Sequence, residues 1–234
     1  MSRVLAIGDI HLPWDRPKYL QFCKDLYEEW DCNEVIFLGD IVDWHSISFH
    51  DKQPECPAPL DEYQKTKQAV KKYYDAFPNA RVCIGNHDER IIRLANSVSI
   101  PEEFIKSYNE IWGTPLWQWQ HEWIVDNVYY FHGTGNGGIY PACNAVRKML
   151  MSVCMGHNHT ASGIKWYANP QQRIFALDVG CGIDDTKMAF AYGHHMKQRS
   201  IISAAVILDG IPYLEIAPIG RGETHYDKRK GNLC

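Results

Sequence analysis

The chain has no C-x-x-C pair: its eight cysteines are scattered singly over 234 residues. That excludes a thiolate metal knuckle. A chain of this length needs no disulfide staples, so the cysteines read as reduced core fillers of an intracellular protein. Long apolar runs are also missing. The first, Val4 to Ile7, is too short for a signal-peptide core, and the longest, Ile201 to Leu208, falls far short of a membrane span. A soluble, cytoplasmic protein with no membrane partner is expected. There is no basic excess either, with 24 Lys and Arg against 28 Asp and Glu, which argues against a dedicated duplex-DNA binder. No Gly-x-Gly-x-x-Gly follows the first apolar run, so a dinucleotide-binding Rossmann enzyme is excluded.

What is present is ample core material: 45% of the residues are hydrophobic and 12% aromatic. One domain over 1–220 is expected, followed by a frayed basic tail over 221–234. Four segments share one pattern, an apolar β-prone run ending in glycine and then a polar donor: VLAIG-Asp9, EVIFLG-Asp40, RVCIG-Asn86 and SVCMG-His157. Short unbroken apolar runs suit strands buried on both faces, and helical spacing lies between the first three, so a largely parallel α/β sheet is implied. Ligands gather beyond the carboxyl ends of such strands.

Pro17 opens one expected helix, with Tyr19, Phe22, Cys23 and Leu26 on its inner face, and Asp61 to Phe77 forms another. Trp44 to Leu60 reads as a long surface loop. A helix follows Glu89, and a further one is expected from Pro101 to Ile111. From Trp123 onward the texture becomes strands, with Asp209-Gly210 as a hairpin signal, so a second, more antiparallel sheet is expected to pack on the first.

Of the 11 histidines, His11, His87, His132, His157 and His159 sit at or beside expected strand ends. With Asp9, Asp40 and Asn86 they make a set of oxygen and imidazole donors that suits Mn²⁺, Zn²⁺ or iron. The set exceeds one tetrahedral site. With one carboxylate bridging, it furnishes two adjacent ions, an arrangement suited to displacement at phosphorus.

The motif order Asp9-x-His11, Gly39-Asp40-x-x-Asp43, Gly85-Asn86-His87-Asp88, His132-Gly133 and Gly156-His157-x-His159 closely resembles the calcineurin-like metallophosphoesterase superfamily. The resemblance implies a two-sheet β-sandwich flanked by helices, of α/β class. It implies a hydrolase that uses two divalent transition ions, Mn²⁺ first with Zn, Fe or Ni as alternatives, and a metal-activated water. Carried over by motif position, Asp9, His11 and His159 hold one ion, Asn86, His132 and His157 the other, and Asp40 bridges. His87 is the implied proton donor to the leaving group, with Asp43 orienting it.

Blander readings stand beside these. Asp43 either orients His87 or caps the next turn. Asp88 either supports the ligands from behind or is solvated, the latter favoured, and Arg90 and Arg93 read as an exposed basic helix face rather than a phosphate grip. Trp112, Trp117, Trp119 and Trp123 read as packing rather than a base-stacking platform. The glycines from Gly133 to Gly138 lack the Walker lysine and read as a flexible loop. His45, His50, His194 and His195 are expected to face solvent, the alternative being that one or two line the substrate cleft.

The serine/threonine phosphatase branch of the family carries arginines where this chain has Trp44 and Ile84. Their absence, with Asp rather than Glu at position 88, favours a small phosphodiesterase acting on nucleotides or short single-stranded nucleic acid. A length of 234 residues leaves no room for the capping domain of the large repair nucleases. The alternatives are a phosphomonoesterase and a non-catalytic protein-binding scaffold such as a retromer subunit. The second is disfavoured because His87 and every expected metal donor are present.

Overall fold

A computed structural model of the chain describes residues 2–49, 56–187 and 198–218. The expected tail over 221–234 lies outside the described residues, as do His50, His194 and His195.

The first half builds parallel strands with helical crossovers. Strand β1 (Arg3–Ile7) leads to α1 (Tyr19–Glu29), β2 (Glu34–Phe37), α2 (Pro59–Ala76) and β3 (Arg81–Cys83). Strands β1 and β2 pair in parallel, as do β2 and β3. Helix α1 buries Tyr19, Phe22, Cys23 and Leu26 at i, i+3, i+4 and i+7, and its N-cap is Lys18, so Pro17 stands just ahead of the helix rather than in its first turn. Helix α2 begins at Pro59, where a missing N–H costs nothing, and carries Asp61 and Glu62 in its first turn against the positive end of its dipole.

Helix α3 (Arg90–Ser97) follows β3 directly. The expected helix over 101–111 is broken: a 3-10 turn covers Glu102–Phe104, Ile105 is extended, and α4 (Tyr108–Trp112) starts afresh at a Ser107–Glu110 capping box. The aromatic connection beyond it contains β4 (Gln118–Gln120), which extends the first sheet beside β3.

The remaining elements are β5 (Glu122–Val125), β6 (Val128–Phe131), α5 (Pro141–Met149), β7 (Ser152–Met155), β8 (Gly163–Ala168), β9 (Arg173–Asp178), β10 (Ser203–Leu208) and β11 (Ile211–Ile216). The first sheet runs β11-β10-β1-β2-β3-β4 and the second β5-β6-β7-β9-β8. Two expectations are corrected here. The second sheet is parallel at its centre, where β6, β7 and β9 run the same way, because α5 forms a crossover between β6 and β7. The β10–β11 hairpin, turning at Asp209 and Gly210 with positive φ, joins the first sheet against β1.

The strand period of two divides the core. On β1, Val4 and Ala6 face the space between the sheets with Ile36, Tyr130, Phe175 and Leu177, while Leu5 and Ile7 face α1 and α2 with Phe37, Phe22 and Tyr73. Helix α5 covers the outer face of the second sheet through Ala142, Ala145 and Val146. The result is a two-sheet β-sandwich flanked by helices. All seven cysteines among the described residues are free thiols, and among those residues no helix is long and apolar enough to cross a membrane.

Candidate metal centre

Five strands, β1, β2 and β3 of one sheet and β6 and β7 of the other, release their chains near one another at their carboxyl ends. The strand-end donors then turn sharply: His11, Asp40 and His157 all have positive φ, a strained backbone for residues with a side chain. Glycines permit the close approach. A Cβ at Gly85 would lie 2.3 Å from the Asp40 backbone nitrogen, and one at Gly156 would lie 2.3 Å from Asp9 Oδ1.

The donors meet as overlapping groups. Asp9, His11 and His159 form one, Asp40, His132 and His157 a second, and His11, Asp40 and His87 a third between them, the ligand atoms of each lying within 4.8 Å of one another. Asp9 Oδ2 is 3.0 Å from His159 Nε2, and Asp9 Oδ1 accepts the His157 backbone N–H at 2.9 Å. In the second group, His132 Nε2 is 3.0 Å from both His157 Nδ1 and Asn86 Oδ1. Asp40 joins the groups: its Oδ2 lies 3.3 Å from His132 Nε2 and 3.5 Å from His11 Nε2, while its Oδ1 accepts the His87 backbone N–H at 2.7 Å.

Neighbouring groups fix the tautomers. His132 Nδ1 donates to the Leu38 carbonyl at 2.9 Å and His11 Nδ1 to Asp43 Oδ1 at 2.7 Å, so each ring is anchored on its Nδ1 side and turns Nε2 inward towards Asp40. His87 belongs to the group that shares His11 and Asp40. Its Nδ1 is 2.9 Å from the Asp43 carbonyl and 3.0 Å from Asp43 Oδ1, and its Nε2 is 4.0 Å from Asp40 Oδ2. Asp43 is therefore tied to both His11 and His87 rather than serving only as a turn cap.

The electrostatics suit divalent cations. Asp9 and Asp40 are buried, and the ion-pair partners of both are histidines. Burial alone would raise their pKa values, but the charge of His132 foremost holds both carboxyls below the ordinary range. Burial would lower His132, yet Asp40 and Asp9 push it up to about 10. Burial and the neighbouring His87 charge bring His11 down to about 4. Two buried carboxylates held ionised among imidazoles concentrate negative charge where cations would sit.

Three residues behave otherwise than their sequence context suggested. Asp88 is buried rather than solvated; it accepts Gly85 N–H at 2.9 Å and Val42 N–H at 3.2 Å, bracing the two loops that carry Asp40 and Asn86. Burial, followed by the charge of Asp40, pushes it up to about 7. His45 is half-buried, with Nδ1 3.9 Å from Asp43 Oδ2, because the buried Glu62 carboxylate of α2 accepts the N–H groups of both His45 and Ser46 at 2.7 Å. Arg90 leaves the expected basic face. Its Nη1 donates to the Asp43 and Trp44 carbonyls at 2.6 and 3.2 Å, and its Nη2 is 3.0 Å from His87 Nε2. The available signal was spacing, since residues three apart on one turn share a face. Arg93, by contrast, is exposed over the Phe49 ring.

The tryptophans pack as expected. Trp117 is buried and donates Nε1–H to the Phe77 carbonyl, and Trp112 lies against Trp44 and Tyr63. In the glycine loop, Thr134 Oγ1 reaches Asn86 Oδ1 at 3.4 Å, and Asn144 and Lys148 tether the loop to α5.

The family model for calcineurin-like phosphoesterases matches residues 2–197. The chain belongs to that family. Its members are dinuclear-metal-dependent phosphoester hydrolases, and the clustered Asp and His side chains provide candidate ligands for such a centre. Among other proteins the chain is similar to the Gene 54 protein of Mycobacterium phage D29, at 24% identity over 76% of this chain and 78% of that one. Among solved structures it is similar to Chaetomium thermophilum Vps29, at 14% identity and a TM-score of 0.48 over 95% and 91% of the two chains. A metallophosphoesterase from Sphaerobacter thermophilus gives 16% identity and a TM-score of 0.45 over 91% and 86%.

Proposed function

We propose that this protein is a phosphodiesterase of the cytoplasm that holds two ions, Mn²⁺ by preference, and acts on nucleotides or short single-stranded nucleic acid. The observation that carries the reading is the position of Asp40 Oδ2, 3.3 Å from His132 Nε2 and 3.5 Å from His11 Nε2, at the junction of the two donor groups. In this reading Asp9, His11 and His159 hold one ion, Asn86, His132 and His157 hold the other, and Asp40 serves both. When bound, the ions supply Lewis acidity toward phosphoryl oxygens and lower the pKa of water.

The chain's own groups do the rest. His87 delivers a proton from Nε2 to the departing oxygen, and Asp43 holds the ring by its Nδ1 side. Asp88 keeps the Asp40 and Asn86 loops in register through its two backbone acceptances. A diester is favoured because positions 44 and 84 hold Trp and Ile, so neither offers a guanidinium to the second negative charge of a monoester.

Reconstitution with Mn²⁺, followed by kinetics on bis(p-nitrophenyl) phosphate and p-nitrophenyl phosphate, tests this. Two ions per chain and a higher kcat/KM on the diester are expected. The reverse ranking moves the protein to the monoesterases, and absence of turnover with both sites filled defeats the enzymatic reading.

A further inference from the structure

Charge is unevenly distributed along this mildly acidic chain. Between Asp126 and Asp178 there is no Asp or Glu, but there are Arg147, Lys148, Lys165 and Arg173, although the formal net charge of the whole is -4. Asp178 itself is buried. This stretch builds β6, α5, β7, β8 and all of β9 but its last residue, and it carries His132, His157 and His159 of the candidate metal centre. The surface without carboxylates therefore begins at that centre.

A chain of contacts leads outward from it. Thr134 Oγ1 meets Asn86 Oδ1 at 3.4 Å, and the Asn136 carbonyl accepts from Asn158, which stands between the two histidine donors 157 and 159, at 3.4 Å. Lys148 Nζ donates to Asn136 Oδ1 at 3.1 Å, which places a cation beside the glycine loop. A Cβ on Gly135 or Gly137 would meet nothing within 4 Å, so the loop backbone lies open to close approach. The loop ends at Tyr140, 64% exposed just ahead of α5. Lys165, exposed on the edge strand β8, has its Nζ 5.7 Å from the ring centres of both Tyr140 and Tyr167.

Cations that alternate with an exposed ring suit a single strand of nucleic acid: its phosphates pair with the ammonium groups, and an unstacked base lies on the ring. A duplex keeps its base faces covered by neighbouring pairs and cannot use Tyr140 in that way. We propose that the glycine loop, Tyr140 and Lys165 form a track for single-stranded nucleic acid leading away from the metal centre, with Lys148 and Lys165 on phosphates and Tyr140 against a base. The proposal rests on the phosphodiesterase reading and narrows its substrate to a strand longer than one nucleotide.

The probe is a fluorescein-labelled oligothymidine of about 12 nucleotides, within the span of one strand-binding unit, with phosphorothioate links that resist hydrolysis. Binding to the Mn²⁺-loaded full chain is read by fluorescence anisotropy over a salt series, beside ion content and thermal midpoint. Y140A should weaken binding by roughly 5- to 150-fold, the effect of losing one base–ring stack, without changing the salt dependence. Y140F should match wild type, and so should F104A, which removes an exposed ring elsewhere. K165A should reduce the slope of log affinity against log salt by about 0.7, the share of one phosphate contact on a single strand. An affinity in Y140A within about twofold of wild type, or an unchanged slope in K165A, overturns the proposal. Equally tight binding of a duplex of the same length, or of phosphatidylserine vesicles, overturns it too. Should Y140A lose its ions or its fold, K165A decides alone. Turnover of bis(p-nitrophenyl) phosphate without strand binding overturns the track and leaves the phosphodiesterase reading standing. Strand binding with these variant effects but no turnover of any ester upholds the track and defeats the enzymatic reading.

Discussion

Asp43 Oδ1 lies 2.7 Å from His11 Nδ1, and the same oxygen lies 3.0 Å from His87 Nδ1. One buried carboxylate thus orients a candidate metal ligand and the candidate proton donor together. The two rings meet edge to face, with centroids 4.3 Å apart.

Asp43→Asn should therefore damage two properties at once. Groups that orient metal-binding histidines are typically worth ~10- to 100-fold in metal affinity, and a loss of that size is expected at the ion held by His11. Turnover measured at saturating metal should fall as well. Calorimetric Mn²⁺ titration and steady-state kinetics separate the two effects. Unchanged affinity at both sites would show that the His11 contact does not set ligand strength.

His87→Ala should keep both ions and lose turnover by ~10²–10⁴-fold on esters with alkoxide leaving groups, the usual range for general acid catalysis. On a nitrophenolate, which departs without a proton, the loss should shrink. Elemental analysis beside the two rate measurements decides it, and equal losses on both leaving groups would contradict the proton-donor assignment.

Trp44→Arg would restore an arginine at the position where the phosphoprotein phosphatases carry one, but the result should be a destabilised protein. Trp44 is 6% exposed and packs against Tyr63 and Trp112. Replacing a buried aromatic by a charge without a partner should cost about 3–5 kcal/mol. A fall in the thermal midpoint is expected, with no gain in monoesterase activity. A variant as stable as wild type would mean that the new side chain escapes to solvent.

Asp178 offers a pH test away from the metal centre. It is 9% exposed, its Oδ2 accepts the Ala142 N–H at 3.3 Å at the start of α5, and burial pushes its carboxyl up to about 6. A carboxyl raised in the folded state binds its proton more tightly there than in the unfolded chain. It therefore lowers stability as pH rises from the unfolded value near 4 through 6, and the full cost is present at neutral pH. Asp178→Asn should stabilise the protein at pH 7 by on the order of 2 kcal/mol, with the gain disappearing below pH 4. Urea unfolding of both proteins across that range measures it, and a gain that persisted at pH 3.5 would assign the effect to packing.

The parts of the fold and site that could be read in the amino-acid order are the local ones. Each apolar run ending in Gly and a donor, such as Val35 to Asp40, became a buried strand with the donor at its carboxyl end, because that pattern depends only on neighbouring residues. Sheet membership did not follow: Ser152 to Met155 has the same texture as Arg3 to Ile7 but lies in the other sheet, and pairing across long separations leaves no local mark. The helix expected over 101–111 breaks at the extended Ile105, although Ser107 and Glu110 carry the capping pattern that restarts it. Strand β8 has an exposed, irregular burial pattern and offered no alternation to find. Arg90 was misjudged because a basic residue on a short helix looks the same in sequence whether it meets solvent or the carbonyls of Asp43 and Trp44.

The donor groups draw on both sheets, with Asp9 and His11 following β1 and His157 and His159 following β7. A cation held there would act as a rivet between the two layers, closing the chain from residue 9 to residue 159. Capture of metal and cohesion of the sandwich then become one linked equilibrium. Chelation should lower the unfolding midpoint of the whole domain, and metal concentration should set how tightly amides in β1 and β7 resist hydrogen exchange.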